Sequence, residues 1–174
     1  MAFLDPAHVL AETHLEPGST VVDIGAGSGA YALAAGRAVG DGGQVYAIDV
    51  QKDLLLRLKS DAHAARLKNI QVINVDAEGG TKCGNNMADL VLLSNVLFQA
   101  EDKNALLHEA ARIVKPGGEV LVVDWSESFG NLGPTPDKVV TRSKALQLGG
   151  GAGLIVRKEF DAGDHHYGLI FKKA

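Results

Sequence analysis

The sequence predicts an α/β fold built on a doubly wound, mostly parallel sheet, and three observations support this. Short runs rich in Val, Ile and Leu alternate along the chain with segments whose apolar residues recur at helical spacing. Residues 21–31 pass from an apolar strand into a loop with glycine at every second position, and then into a helix. A short polar turn separates the last two apolar runs, which is typical of a β-hairpin. Such alternation gives a sheet with helices on both faces.

Seven strands are predicted, and the fourth has the composition of a central parallel strand because it is apolar on both faces. Right-handed crossovers place the carboxyl ends of the parallel strands on one edge of the sheet. We expect a doubly wound sheet with an antiparallel last strand. The strands are predicted at Ser19 to Ile24, Gln44 to Ile48, Ile70 to Val75, Ala88 to Leu93, Glu119 to Val123, Leu154 to Phe160 and Tyr167 to Lys172.

Helices are predicted between the strands, so that a strand–helix unit occurs five times before the hairpin. Asp5 and Pro6 have the composition of an N-cap and a first helical position, and this short helix should end near Thr13. The turn Pro116-Gly117-Gly118 should stop the helix predicted just before it, which ends at Val114. Residues 149–153, four of them glycine, should end the last helix. The other helices are predicted at Ser28 to Val39, Lys52 to Arg66, Asp102 to Val114 and Arg142 to Leu148.

Composition favours one globular domain over residues 1–174 and excludes several classes of protein. The apolar fraction is 46%, the formal net charge is −4 and the sequence pI is about 5.8, which disfavours a nucleic-acid binder. The sequence holds no apolar run long enough to span a membrane, and its N-terminus lacks the pattern of a signal peptide. Cys83 is the single cysteine, so no internal disulfide can form. We expect a cytoplasmic protein.

The glycine-rich loop fits two kinds of nucleotide-cofactor site. Read as Gly25-x-Gly27-x-x-Ala30, with Asp49 about 20 residues further on, it matches the dinucleotide pattern. Read as Asp23-x-Gly25-x-Gly27-x-Gly29, it places an acid inside the first strand, where a dinucleotide-binding strand is usually apolar. Each pattern is weak when it is taken by itself, and the rest of the chain has to decide between them.

The second reading resembles the first motif of class I S-adenosylmethionine-dependent methyltransferases, and the resemblance extends over roughly residues 16 to 172. Asp49 ends the second strand and Asp76-Ala77 ends the third, as in that family. A Pro-Gly-Gly turn precedes the fifth strand, and the final hairpin matches the antiparallel seventh strand of the family. The chain is most similar to a minimal form of the small-molecule branch that includes quinone-biosynthesis enzymes.

The resemblance implies a Rossmann-like sheet with the strand order 3-2-1-4-5-7-6. It also implies that S-adenosylmethionine binds at the carboxyl edge of that sheet. Asp49 would accept hydrogen bonds from the ribose hydroxyls, because a carboxylate suits a vicinal diol. Asp76 would meet the adenine amine, and Asp23 would hold the loop and assist the ammonium of the cofactor, or only brace the loop. The residues implied in cofactor binding are Asp23, Gly25, Ala26, Gly27, Gly29, Asp49, Val50, Asp76, Ala77, Ser94 and Asn95.

The acceptor is less well defined than the cofactor. The sulfonium is already activated, so the protein has mainly to align a nucleophile, and a base is needed only if that nucleophile is protonated. Ser94-Asn95-Val96-Leu97 replaces the Asn/Asp-Pro-Pro-aromatic motif, which disfavours DNA-adenine and peptide-glutamine acceptors. Arsenite chemistry needs several thiolates, and only one cysteine is present. The candidates for an acid–base role are Asp124, at the end of the fifth strand, and His166 and Tyr167, at the start of the last strand on the same edge. Because side chains alternate along a strand, at most one of the adjacent His165 and His166 should face the site.

Three functions stay open from the residues and the resemblance together. The chain could methylate a small molecule, methylate a protein or RNA, or bind the cofactor or a partner without catalysis. No metal is predicted, because one carboxylate with Ser94 and Asn95 is a poor oxygen cage. Residues 1–15, with Phe3-Leu4 and the first helix, are a lid candidate, as is the Ser126 to Asp137 loop. A second subunit could also complete the pocket.

Overall fold

A computed structural model describes residues 5–174, in which strands and helices alternate along most of the chain. The strands are β1 Thr20–Ile24, β2 Gln44–Asp49, β3 Ile70–Asn74, β4 Ala88–Ser94, β5 Val114–Trp125, β6 Leu154–Asp161 and β7 His166–Lys173. The helices are α1 Pro6–Leu10, α2 Ala30–Val39, α3 Lys52–Ala64, α4 Lys103–Ile113 and α5 Arg142–Gly151. No helix among these residues is long and apolar enough to cross a membrane.

All seven strands form one sheet in the order β3-β2-β1-β4-β5-β7-β6. The first five strands pair in parallel, whereas β7 runs antiparallel to both β5 and β6. The predicted strand order and the antiparallel last strand are therefore confirmed. Because β1 lies between β2 and β4, the carboxyl ends of these three strands meet at the centre of one edge.

Two apolar layers cover the sheet, as the alternation of side chains along each strand requires. Val21 packs with residues of α1, α2 and α3 on one face, and Val22 packs with residues of α4 and α5 on the other. Both side chains are fully buried. The predicted placement of helices on both faces is confirmed.

Helix α1 is part of the core, which limits its freedom as a lid. Val9 and Leu10 are 2% and 4% exposed and belong to the apolar layer that contains α2 and α3. The chain just after α1 is tied down as well, because the buried Glu119 carboxylate accepts a hydrogen bond from the His14 amide at 2.9 Å. Phe3-Leu4, the rest of this lid candidate, lies outside the described residues.

Three predicted local features are wrong. The β3–β4 connection holds only a 3₁₀ turn at Ala77–Gly79, so the strand–helix unit is not repeated there. Strand β5 already begins at Val114 and runs through the Pro-Gly-Gly segment, with a register shift against β4 between Ala88 and Leu90. A bulge of this kind accommodates a proline that lacks an N–H donor. Helix α1 ends at Leu10, earlier than predicted.

Helix α5 continues through the first three glycines of the predicted break, and packing explains why. Gly149 is buried, and a Cβ built on it would lie 2.4 Å from Cε1 of Phe171 on β7. The aromatic ring therefore occupies the space that any larger residue would need, and this contact outweighs the low helix propensity of glycine.

We predict that Gly149→Ala destabilises the protein by about 1–3 kcal/mol, because the added methyl group overpacks the contact with Phe171. Gly150→Ala is the matched control, since nothing lies within 4 Å of a Cβ at that position. The control should be neutral or stabilising by up to about 1 kcal/mol through helix propensity. Urea unfolding of both variants measures the difference, and equal stabilities would contradict the packing explanation.

Candidate functional site

A cleft of about 580 Å³ opens at the carboxyl edge, where β1, β2 and β4 end. Its position agrees with the rule that ligands of open α/β sheets bind beyond the carboxyl ends of the strands. The lining residues come from α1, the loop after β1, the start of α3 and the segments after β3 and β4. They are Pro6, Asp23, Ile24, Gly25, Ala26, Gly27, Ser28, Ala30, Tyr31, Ile48, Asp49, Val50, Gln51, Leu54, Val75, Asp76, Ala77, Glu78, Ser94, Asn95, Val96, Gln99, Ala100 and Leu106.

Every residue implied in cofactor binding lines this cleft except Gly29. Gly29 instead precedes α2 with φ +89°, and a Cβ there would lie 2.1 Å from Cδ1 of Leu58 on α3. Its role in the structure is to let α2 start close against α3. The structure thus brings the other predicted residues together, while their contacts with a cofactor remain a prediction.

The glycine-rich loop is fixed to β2 by its own backbone amides. Gly25 N and Ala26 N donate to the Ile48 carbonyl at 2.8 and 2.9 Å, and Gly27 N donates to Asp49 Oδ2 at 2.8 Å. A bound pyrophosphate would need free N–H groups at such a loop. These three donors are already used within the protein, which favours the reading without a dinucleotide.

Asp49 is therefore both a brace of the loop and an acceptor that faces the cleft. Its side chain is nearly buried, and Oδ1 accepts a second backbone hydrogen bond, from Gln51 N at 2.8 Å. An ionised carboxylate can accept about four hydrogen bonds in total. Two acceptor positions remain after the backbone bonds are counted, and this number suits the two hydroxyls of a ribose.

Asp23 is a buried acid with an unused acceptor. The residue is 1% exposed, and among residues 5–174 its Oδ2 has no hydrogen-bond partner. Burial raises the pKa of Asp23 to about 7, and the neighbouring Asp49 carboxylate adds to the effect. A carboxyl group held this way stabilises a cation that enters the cleft, because the cation favours the ionised form.

Two further polar atoms without a partner in the described part of the chain line the same cleft. Asn95 adopts φ +54°, a left-handed conformation that few non-glycine residues take, and its Oδ1 is buried. The Tyr31 hydroxyl is buried on the first turn of α2, and burial raises the pKa of Tyr31 to about 12. Buried polar groups are normally paired, so these atoms indicate a polar ligand.

Sequence reasoning missed Tyr31 because a tyrosine in the first turn of an amphipathic helix has the pattern of a core residue. It also missed Glu78, whose carboxylate accepts the amides of Glu101 and Asp102 and so holds the segment before α4 at the cleft. Asp76 is exposed and accepts Glu78 N at 3.0 Å. The signal for Glu78 was its place two residues after Asp76, the acid that follows β3.

The three acid–base candidates lie outside the cleft lining. Asp124 is fully buried and accepts the amides of Leu97 and Trp125 at 3.0 and 2.8 Å; burial raises the pKa of Asp124 to about 6. The Tyr167 hydroxyl is buried and donates to the Val140 carbonyl at 2.9 Å. His166 is 6% exposed, and burial lowers its pKa to about 4.

Within residues 5–174, no three His, Cys, Asp or Glu side chains are grouped so that they could hold a metal ion.

Comparison with known proteins places the chain in a family. The model of a methyltransferase domain matches residues 22–122. A ubiquinone/menaquinone biosynthesis C-methyltransferase of Cupriavidus pinatubonensis is 34% identical over 68% of this chain and 48% of that protein. A demethylmenaquinone methyltransferase of Bacillus mycoides is 31% identical over 65% of this chain and 47% of that protein. The chain spans about half the length of these curated relatives.

A solved structure shows the same relationship in three dimensions. The crystal structure of an S-adenosylmethionine-dependent methyltransferase from Aquifex aeolicus has a TM-score of 0.90 and 27% sequence identity. The match covers 98% of this chain and 90% of the other. The chain belongs to the family of S-adenosylmethionine-dependent methyltransferases with a Rossmann-like fold, and its cofactor is S-adenosylmethionine.

The cleft fits this cofactor on structural grounds. The methionine end of S-adenosylmethionine carries an ammonium group. The unpartnered oxygens of Asp23, Tyr31 and Asn95 are acceptors of the kind that an ammonium group needs. Gly25 could not carry a Cβ because it would lie 2.8 Å from Cγ2 of Val96, whereas Gly27 leaves open space where a Cβ would stand. The backbone there can approach a ligand closely.

We predict that Asp49→Ala weakens binding of S-adenosylmethionine by about 1.5–3 kcal/mol, because the charge-assisted hydrogen bonds to the ribose and the brace of Gly27 are both lost. Titration calorimetry measures the affinity, and thermal unfolding of the free variant shows how much of the loss comes from the loop. The control is Asp53→Ala, four residues further on and outside the cleft lining. Unchanged affinity in Asp49→Ala would contradict the ribose assignment.

We predict that Asp23→Asn stabilises the free protein above neutral pH. Between its ordinary pKa of 3.8 and its folded value of about 7, Asp23 holds a proton only in the folded state. Wild-type stability therefore falls as pH rises through this window, and the cost is complete above it. Asn stays neutral at every pH, so the advantage of the variant should grow from about pH 5 to about pH 8. Urea unfolding across this range would contradict the assignment if the difference stayed constant.

Proposed function

We propose that this chain transfers the methyl group of S-adenosylmethionine to a small-molecule acceptor at the carboxyl edge of its sheet. The observation that carries the proposal is the convergence of three buried, unpartnered polar atoms on a cleft whose loop amides are already used. This arrangement suits a ligand with a charged amino-acid tail better than a ligand with a pyrophosphate. When bound, the cofactor supplies a methyl group that is already activated by the sulfonium.

The residues of the chain divide the work of holding the cofactor. Asp49 accepts the ribose hydroxyls, and Asp76 with Ala77 borders the adenine. Val50 is 61% exposed in the cleft, so an adenine ring packed on it would remove apolar surface from water. Asp23 meets the ammonium, and it loses its proton when the ammonium binds because the cation favours the carboxylate.

The acceptor is proposed to be a quinol-type small molecule. The relatives are named for ubiquinone and menaquinone biosynthesis, and each is about twice as long as the matched region. A methyltransferase that acts on a protein or RNA is the alternative, as is a domain that binds the cofactor without catalysis. The net charge of −4 disfavours RNA. A homodimer in which a second copy covers the cleft is a further proposal, which analytical ultracentrifugation would check.

We predict that S-adenosylmethionine and S-adenosylhomocysteine raise the unfolding temperature, whereas NAD does not. A ligand at about 100 times its Kd adds roughly 2.7 kcal/mol to the free energy of unfolding. For a chain of this size the shift is on the order of 5–10 °C. Thermal unfolding with each ligand in excess is the measurement. A shift with NAD alone would overturn the proposal, and no shift with any of them would support a partner-binding domain.

A further inference from the structure

Residues 95–102, which we call the β4–α4 wall, connect these two elements and form one side of the cleft. The first half of the wall is fixed by β5. The fully buried carboxylate of Asp124 accepts the amides of Leu97 and Phe98 at 3.0 and 3.4 Å. Leu97 is itself fully buried in the apolar layer below. This half of the wall is therefore tied to the sheet and its core.

The second half of the β4–α4 wall depends on Glu78, which comes from the turn after β3. Its Oε1 accepts the Glu101 amide at 3.0 Å, and its Oε2 accepts the Asp102 amide. Glu101 and Asp102 are both exposed, so burial contributes little to their placement. Hydrogen bonds to a carboxylate are stronger than those between neutral groups, and a pair of them also fixes direction. The Glu78 carboxylate is thus the main anchor of this half.

The backbone of Glu78 is held in turn by Asp76 at the cleft. Asp76 is exposed, and its Oδ1 accepts the Glu78 amide at 3.0 Å. The single 3₁₀ turn Ala77–Gly79 follows, closed by the Gly80 amide on the Ala77 carbonyl at 3.1 Å. Its residues are half-buried or exposed, and short elements of this kind open easily. A ligand that fixes Asp76 would therefore fix Glu78 as well.

We propose that Glu78 is a positioning residue that links the adenine side of the cleft to the β4–α4 wall. This inference rests on the proposed function, in which the adenine amine meets Asp76. The amine donates to Oδ2 of Asp76 while Oδ1 keeps the Glu78 amide. The turn and the Glu78 carboxylate are then held together, and the two amides before α4 follow. The second half of the wall is set only when the adenine end is occupied.

The position of the wall matters because the nucleophile of the acceptor has to lie in line behind the methyl group. Asn95, Val96, Gln99 and Ala100 of the wall line the cleft, and the last two directly precede the amides that Glu78 holds. A misplacement of about 1 Å can lower a rate on the order of 10²-fold. Glu78 affects this geometry through the wall and needs no contact with the reacting atoms.

A second link between the same loop and α4 provides a comparison. Glu109 accepts the amide and the hydroxyl of Thr81 at 2.8 and 2.7 Å, and Arg112 donates two hydrogen bonds to it, both at 2.7 Å. These residues lie outside the cleft lining. If Glu78 served only to fasten the loop to the helix, its removal should act like removal of the Glu109 link. The two links therefore separate a positioning role from a structural one.

The test is amide hydrogen exchange, followed by NMR on the full chain, free and saturated with S-adenosylhomocysteine. We predict that the Glu101 and Asp102 amides exchange at least about fivefold more slowly in the wild-type complex, the lower end of the usual coupling between sites. S-inosylhomocysteine has a carbonyl in place of the adenine amine, so it should leave both rates unchanged. The His14 amide is the internal control, because the Glu119 carboxylate binds it at the opposite edge of the sheet.

Variants of the two links complete the test. Glu78→Ala should show the same exchange at residues 101 and 102 with and without S-adenosylhomocysteine, because the link is cut. Glu78→Gln should keep part of the effect, since its carbonyl oxygen still accepts a hydrogen bond. Glu109→Gln should be less stable in urea yet keep the full effect. Calorimetry measures binding to each variant, and the affinity of Glu78→Ala should fall by no more than the factor lost in exchange, because coupling is reciprocal.

The inference and the proposed function fail in different ways. If S-adenosylhomocysteine does not bind the wild type, the proposed function fails and the inference fails with it. If it binds but the Glu101 and Asp102 amides do not slow, or the His14 amide slows equally, only the inference is overturned. Equal slowing in Glu78→Ala or with S-inosylhomocysteine would overturn it too. The comparison of the two ligands needs no variant, so it decides even if Glu78→Ala does not fold.

Discussion

The attachment of the glycine-rich loop to β2 is the constraint on which the site depends. The Ile48 carbonyl receives two loop amides, and Asp49 receives the third. These bonds hold the backbone beneath the cleft in a left-handed path, with φ +74° at Gly25 and +54° at Gly27. Because these three donors are used within the protein, they are not available to a ligand.

Side chains in this position carry a cost to stability, and Asp23 shows it most clearly. A carboxyl group that is 1% exposed and has one oxygen without a partner would be replaced if stability alone mattered. Its proximity to Asp49 increases the cost of ionisation, since two carboxylates share one cleft. A cationic ligand would give the unpartnered oxygen a donor, and it would also offset the repulsion between the two carboxylates. The same burial that destabilises the free protein therefore strengthens the response to a cation.

Much of the fold could be predicted from sequence because its signals are local. The order of apolar runs, acids and glycines indicates the sheet, and it places most of the residues implied in cofactor binding at one edge. The errors fall where tertiary contacts override local preference. Helix α5 passes through Gly149 because Phe171 leaves no room for a Cβ, and β5 includes Pro116 because a bulge removes the need for its N–H. Neither the Phe171 ring nor the bulge against β4 can be recognised from the sequence of the segment itself.

The candidate site was less predictable, because tertiary contacts decide which way the side chain of a turn residue faces. Sequence reasoning could state that only one of two adjacent histidines faces the edge, since side chains alternate along a strand. It favoured His166, which lies in the strand and is buried. His165 lies just before β7, where the turn rather than the strand sets its direction, and there Glu127 and Phe129 hold it. A turn conformation is decided by its contacts, so only the folded chain distinguishes the two rings.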